Sequence, residues 1–365
     1  MTSSIVEPQA EADDIQIFFD DEDQDSAESR TFDSKWRWAT LVAPWLWFLV
    51  KGVHPWVEVA AILLPVLTVG AALGCLLLAA YRRSGLLLGL TLSLCLMTVV
   101  AVGLPRRPIE SPAPTESSRF AALNVARRWH SCNDIGYFLQ IREVDVVVGT
   151  ELSEPHDAEL RERYEYAVSD LVGFDPVPEP VGGLVDLSET YRLNDGPSIG
   201  LYANFEIQLL EDPIRDDFAG GLPGFRALLK APEGDIVVYA LHIPRPGTGS
   251  ADYEVSIPEQ RELVEAVTSA VEAEELPVVV LGDLNIVDRG ESFDILSNQL
   301  RDVMRSNTWA PSTRESDVWH SLLQLRIDHL LIDRELCAME VQAPAVFFSD
   351  HRPIQADIGP CPEGE

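Results

Sequence analysis

The 365-residue chain has little lysine. Lys35, Lys51 and Lys230 are the only ones among 27 basic residues, set against 59 acidic residues. A formal charge of −32 leaves no broad basic surface. Duplex nucleic acid is held by lysines and arginines that neutralise phosphates, so a nonspecific nucleic-acid binder is disfavoured unless arginines make the site locally positive. The arginine bias points to a GC-rich bacterial genome. Cysteine is also scarce. Cys75, Cys95, Cys132, Cys337 and Cys361 are widely spaced, with no CxxC, and indicate neither a zinc cluster nor a disulfide framework. No internal repeat is present.

Long apolar runs, by contrast, are present. Residues 1–35 are polar and acidic and cannot bury enough apolar surface to offset chain entropy, so a disordered tail is expected. Residues 36–104 form a transmembrane region, with spans expected at about 38–53, 57–80 and 85–104. The first is short, carries Pro44, Trp38, Trp45 and Trp47, and reads either as a third span or as an interfacial helix. Arg82 and Arg83 between the two clear spans favour the cytoplasm, which puts the globular part outside the cell membrane. Arg106 and Arg107 pull the other way. Residues 105–117 are a proline-rich linker, expected to be stiff and to hold the next domain off the bilayer.

Residues 118–365 are long enough for one large core. Apolar strands alternate with fewer helices, which predicts packed sheets covered by helices. Strands are expected at 119–125, 144–149, 164–169, 198–203, 205–209, 224–230, 235–242, 278–284, 325–332, 345–348 and 354–358. Helices are expected at 134–141, 258–275 and 291–300.

Polar residues recur at the ends of these strands. Val278-Val279-Val280-Leu281-Gly282 runs into Asp283-Leu284-Asn285, which reads as a functional strand end or as a plain Asx turn. Asn124, Glu151 and His242 follow three other apolar runs. Asp328 and His329 sit within 325–332, and Ser349, Asp350 and His351 follow Val346-Phe347-Phe348. Oxygen ligands such as Glu151 suit Mg²⁺. A His–Asp pair can activate water, and amides with a second imidazole can hold phosphoryl oxygens.

The pieces Leu123-Asn124-Val125, Val148-Gly149-Thr150-Glu151-Leu152, Leu241-His242, Gly282-Asp283-Leu284-Asn285, Ile327-Asp328-His329 and Ser349-Asp350-His351-Arg352-Pro353 resemble the endonuclease/exonuclease/phosphatase superfamily, with its DNase I-like fold. They fall in that family's order. The chain looks most like the bacterial membrane-anchored branch, to which Thr308-Trp309-Ala310-Pro311 is also similar.

The resemblance implies an α/β four-layer sandwich of two mixed β-sheets flanked by helices, preceded by two or three transmembrane helices. It implies Mg²⁺, with Mn²⁺ as the alternative, held by Glu151, Asn124 and Asp350. His351 would take a proton from water, oriented by Asp328, although Asp283 competes for that role. Asn285, His242 and Asn124 would contact phosphate, and His242 would protonate the leaving group. Two departures stand out. Ala203-Asn204 replaces a common Ser-Arg, which removes a phosphate-facing arginine, and Ala126 stands where an acid is frequent.

The expected activity is a membrane-anchored, Mg-dependent phosphoester hydrolase. The alternative is an inactive, membrane-tethered interaction module on the same fold. The substrate is a lipid headgroup, a small phosphoester or nucleic acid. Residues 118–365 hold 45 acidic and 19 basic residues, which weighs against duplex DNA. Arg127, Arg128, Arg245 and Arg352 lie beside site residues and could offset that charge. No protein partner is expected.

Overall fold

A computed structural model describes residues 38–50, 54–125, 132–169, 198–214, 221–246, 253–314 and 323–362. The acidic tail, Arg127 and Arg128 lie outside the described residues.

Two long helices stand near the start of the described chain. Helix α1 spans Pro55–Arg82, and α2 spans Gly85–Gly103. Pro55 suits the first turn of α1, His54 accepts from Trp56 N at 3.3 Å, and Arg83 ends the helix in the left-handed conformation. Both helices, as Trp56–Arg82 and Gly85–Arg106, are long and apolar enough to cross a membrane. A shorter apolar helix, Trp38–Leu49, lies along α2. Trp45 Nε1 donates to Ser93 Oγ at 3.0 Å, and Trp45 and Trp47 pack on Leu64, Met97 and Ala101.

Two six-stranded sheets follow. One has the order β11-β12-β1-β2-β4-β3, where β1 is Ser118–Asn124, β2 Val146–Leu152, β3 Tyr166–Ser169, β4 Ser198–Ala203, β11 Leu336–Gln342 and β12 Ile354–Pro360. The other has the order β5-β6-β7-β8-β10-β9, where β5 is Ile207–Leu209, β6 Gly224–Ala231, β7 Gly234–His242, β8 Val278–Asp283, β9 Arg301–Asp302 and β10 Asp328–Ile332. The pairs β1–β2 and β7–β8 are parallel, and the other pairs are antiparallel. Helices α3 (Cys132–Arg142) and α4 (Glu154–Arg163) flank the first sheet. Helices α5 (Tyr253–Glu272) and α6 (Glu291–Gln299) flank the second.

The layers follow from strand alternation. Phe120, Ala122, Val146 and Val148 face Val238, Ala240, Val279, Leu281 and Leu330 across an apolar inter-sheet core. The opposite faces, Ala121, Leu123 and Val147, meet Ile135 and Leu139 of α3 and Leu160 of α4. Val237, Tyr239, Val278 and Val280 meet Leu263, Val264 and Val267 of α5, with Phe293 and Leu296 of α6.

Four expectations need correction. The apolar run at 345–348 is not a strand; Phe348 instead stacks edge-on against Phe138 at 5.9 Å. Helix α4 was not anticipated because its sequence lacks an apolar stripe. It is held by a capping box between Ser153 and His156, by an Arg161–Asp157 bond of 2.6 Å and by Tyr202 Oη donating to Asp157. Strand β11 was also missed. It pairs Cys337 with Gly359 of β12, which brings Cys337 and Cys361 into a disulfide with Cα atoms 4.9 Å apart. Finally, the proline-rich linker does not project. Ile109 N donates to Arg305 O at 2.8 Å, Ser111 N to Asn307 Oδ1 at 3.2 Å and Thr115 N to Pro360 O at 3.1 Å, so it runs along the domain.

Candidate functional site

The inward-facing series of four strands each end in a polar residue at one edge of the sandwich. Phe120 and Ala122 lead to Asn124, and Val238 and Ala240 lead to His242. Val279 and Leu281 lead to Asp283, and Ile332 and Leu330 lead back to Asp328. The register puts Asp283 opposite both His242 and Asp328. The positions that build the core therefore also deliver the polar groups where the core stops.

Gly282 permits this register. Its φ is +139°, and a Cβ there would lie 2.0 Å from Leu241 O. Only glycine lets β8 approach β7 so closely at this point.

Glu151 arrives differently. The β2–β4 register shifts between Thr150 and Leu152, and Glu151 has φ +54°. The bulge turns its side chain toward Asn124, whose Nδ2 donates to Glu151 Oε1 at 3.1 Å and to Asp283 Oδ2 at 2.8 Å. A left-handed non-glycine residue costs about 1 kcal/mol or more, and such strain persists where the surroundings over-determine it.

Asn285 also has a positive φ, of +50°. Its N donates to Asp283 Oδ1 at 3.0 Å, which is the Asx turn, and its Nδ2 donates to Ile243 O at 2.9 Å. The turn and the site thus use the same atoms. Leu284 points away into the α5–α6 core.

His351 lies in the loop before β12. Its Nδ1 is 2.8 and 3.0 Å from the two oxygens of Asp328 and 4.0 Å from Asp283 Oδ2. Thr313 Oγ1 accepts from Asp328 N at 3.2 Å and from Ile327 N at 3.0 Å, fixing that strand start. Ser349 Oγ donates to Asn124 O and accepts from His351 N at 3.0 Å, tying the loop to β1. Arg314 Nη1 approaches His351 Nε2 at 3.1 Å, and its Nη2 donates to Asp350 Oδ2 at 3.3 Å.

Charge is confined in this site. Burial, and then the neighbouring Asp328, raise the Asp283 carboxyl above the usual range, against His351, His242 and Asn124. Burial works against a charged His351, but Asp328 and Asp283 outweigh it and hold the imidazole up at about 9. The Arg314 contact pulls the other way. A guanidinium can only donate, so it requires the neutral ring with its proton on Nδ1. In the neutral ring, Nδ1–H belongs to Asp328, and Nε2 is the accepting nitrogen.

Glu151, His242 and Asp283 each bring a ligand atom within 4.8 Å of one another, as do Asp283, Asp328 and His351. Oxygen-rich donors with one imidazole suit a hard divalent cation. Asp350 falls in neither set and pairs with Arg314 at 3.3 Å. His329 is fully buried against Phe293, and burial and then Arg326 hold it down at about 4, so it is a neutral core residue. Arg314 was not anticipated from sequence, because it sits in an irregular loop held to Leu325 and His351 by isolated bridges rather than in a strand. Of the arginines named earlier, Arg245 is exposed, while Arg352 Nη1 donates to Ala343 O at 3.4 Å.

The two helix-flanked mixed sheets define the class as a DNase I-like α/β sandwich. The endonuclease/exonuclease/phosphatase family model matches residues 138–351, more than half of the chain, and the chain belongs to that family. The family contains metal-dependent nucleases and phosphatases. Similar solved structures include an endonuclease/exonuclease/phosphatase from Beutenbergia cavernae, at 20% identity and TM-score 0.45, covering 67% of this chain and 72% of that one. An AP endonuclease from Archaeoglobus fulgidus is 13% identical at TM-score 0.48, covering 66% and 98%. A 3′-5′ exonuclease from Neisseria meningitidis is 15% identical at TM-score 0.45, covering 66% and 99%. No curated protein matches the chain.

Proposed function

We propose that this protein is a membrane-anchored, Mg²⁺-dependent phosphoester hydrolase that attacks phosphorus in line with an activated water. The observation that carries the proposal is the His351–Asp328 pair, which commits Nδ1 to Asp328 and leaves Nε2 for proton transfer, with Asp283 in the same cluster. His351 Nε2 takes the water proton, while Asp328 keeps Nδ1–H and stabilises the imidazolium. Asp283 accepts from Asn124 and Asn285 N, and His351 Nε2 faces Arg314; His351 is favoured as the base because Asp328 stabilises the imidazolium it would become. Glu151 and Asp283, aligned by Asn124, would hold the cation with His242 beside them. A bound Mg²⁺, or Mn²⁺ in its place, supplies positive charge to the phosphoryl oxygens. Asn285 and His242 approach the non-bridging oxygens, and His242 protonates the leaving oxygen. The inactive-module alternative has no observation in its favour, because the acid–imidazole pair is intact.

Helices α1 and α2 would span the cell membrane, with the domain outside. Two observations support this orientation. The domain packs on the ends of α1 and α2 opposite the Arg82-Arg83 turn. The Cys337–Cys361 disulfide suits an oxidising compartment.

The test is hydrolysis of a panel of phosphomonoesters and phosphodiesters by the purified full chain. Turnover with Mg²⁺, its loss with chelator and a fall of about 100-fold or more in His351→Ala are expected. No turnover of any ester would overturn the proposal.

A further inference from the structure

Helix α1 carries Pro65 in its interior. A proline has no N–H to give the carbonyl four residues back, so Ala61 O loses its helical partner. The domain supplies one: Arg289 Nε donates to Ala61 O at 2.5 Å, and its Nη2 donates to Ile62 O at 2.9 Å. Arg289 is almost fully buried and also holds Leu323 O and Gln324 O. Beside it, Glu58 Oε1 accepts from Glu291 N at 2.8 Å, at the start of α6. Arg106, just past α2, bonds Asp288 Oδ2 at 2.6 Å. Ala61 shares an apolar cluster with Val287, Leu325 and Ile327.

All these domain residues sit next to the catalytic strands. Residues 287–291 follow Asp283 and Asn285, and Ile327 precedes Asp328. Asn285 itself lines one cleft with Glu58, Ile62, Ile257, Gln260 and Ile286. The site edge of the sandwich is therefore the edge that meets the anchor.

Length fixes its height. The 28 residues of α1 reach roughly 42 Å at ~1.5 Å each, against ~30 Å of hydrocarbon. The excess is about two turns. It falls at the Glu58 end, since the other end closes on the tight Arg82-Arg83 turn. Residues 58–62, and the loop docked on them, then lie at headgroup level. Trp309, 62% exposed, stands 3.8 Å from the Cβ position of Gly103 at the end of α2, as an interfacial tryptophan would. Phe347, fully exposed, rides on the loop leading into Ser349–His351.

We infer that the membrane hairpin is clamped into the catalytic module through Arg289 and Glu58, so that the site works at the bilayer surface on a phosphoester carried by a lipid of the same leaflet. This rests on the hydrolase and membrane-span readings above.

The experiment reconstitutes the full chain in phosphatidylcholine vesicles containing tail-labelled phosphatidic acid and phosphatidylglycerol, with Mg²⁺. The same lipids in separate vesicles and soluble p-nitrophenyl phosphoesters run in parallel. Cleavage of lipid in the protein's own vesicles, little in separate ones and slow soluble turnover support the inference. Good soluble turnover with lipids untouched overturns it and leaves the hydrolase proposal standing; silence toward every ester overturns both. Glu58→Ala, which leaves the domain core intact, should lower own-vesicle turnover about tenfold while soluble turnover holds. Arg289→Met should do the same more strongly. An equal fall in both activities, or in neither, for Glu58→Ala overturns the clamp.

Discussion

Neutralising Asp288 is the sharpest test of how helices α1 and α2 are joined to the domain. Asp288 is fully buried, with Arg106, Arg326 and Arg289 at 2.6, 3.1 and 3.5 Å. Asp302 shares Arg326 as an ion pair at 2.8 Å, without hydrogen-bond alignment. Burial pushes the Asp288 carboxyl up, but the three guanidiniums outweigh it and hold it well below the usual range. Arg289 pays the reverse cost: burial brings it down to about 10. Asp288→Asn preserves shape but leaves three buried cations facing one carboxylate. Removing one partner of a buried ion cluster costs about 3–5 kcal/mol, which for a chain of this size lowers the melting temperature by roughly 5 °C. The folded-state carboxyl lies below its unfolded value. Its contribution is therefore fully present above the unfolded carboxylate range and lost as pH falls toward the folded value. Melting of both proteins in the same detergent, followed from pH 7 to about pH 2, should show a wide gap at neutrality that closes in acid. A gap near zero at pH 7, or one that persists unchanged in acid, would refute the reasoning.

Asp328→Asn removes the carboxylate that holds His351 up at about 9. In chelator, the His351 ring followed by NMR should titrate well below the wild type, and turnover with Mg²⁺ should fall about 100-fold or more; an unchanged titration would contradict the pairing. The wild-type contribution from this raised pKa is present below the unfolded histidine value and lost as pH rises through about 9. Asp283→Asn should leave melting near normal and nearly abolish turnover, and a near-normal rate would remove it from the site. Gly282→Ala forces a Cβ to 2.0 Å from Leu241 O and should cost about 3 kcal/mol or more, seen as lost solubility or a large drop in melting temperature. Denatured under non-reducing conditions, the chain should titrate three thiols, from Cys75, Cys95 and Cys132. Five thiols would remove the disulfide and its support for an outside domain.

Most of the candidate site was legible because its residues sit where apolar alternation stops. Asn124, His242, Asp283 and Asp328 each end such a series, and the sheet brings the ends together. Glu151 was found by its place after an apolar run, but the bulge that aims it leaves no mark on spacing. Arg314 left no local signal, since an irregular loop delivers it to His351. Helix α4 and strand β11 were missed because polar contacts and sheet pairing hold them, not an apolar stripe.

The sequence by itself determined the layered fold, the two apolar helices and which polar residues end the apolar strands. Each depends on periodicity within a few residues, and periodicity is local. Tertiary structure alone decided three things. It joined Cys337 to Cys361 by pairing β11 with β12. It laid the proline-rich segment along the domain. It also closed the carbonyl that Pro65 frees with an arginine 228 positions away. Each is a contact between distant segments, and no spacing along the chain encodes which unsatisfied group will meet which donor.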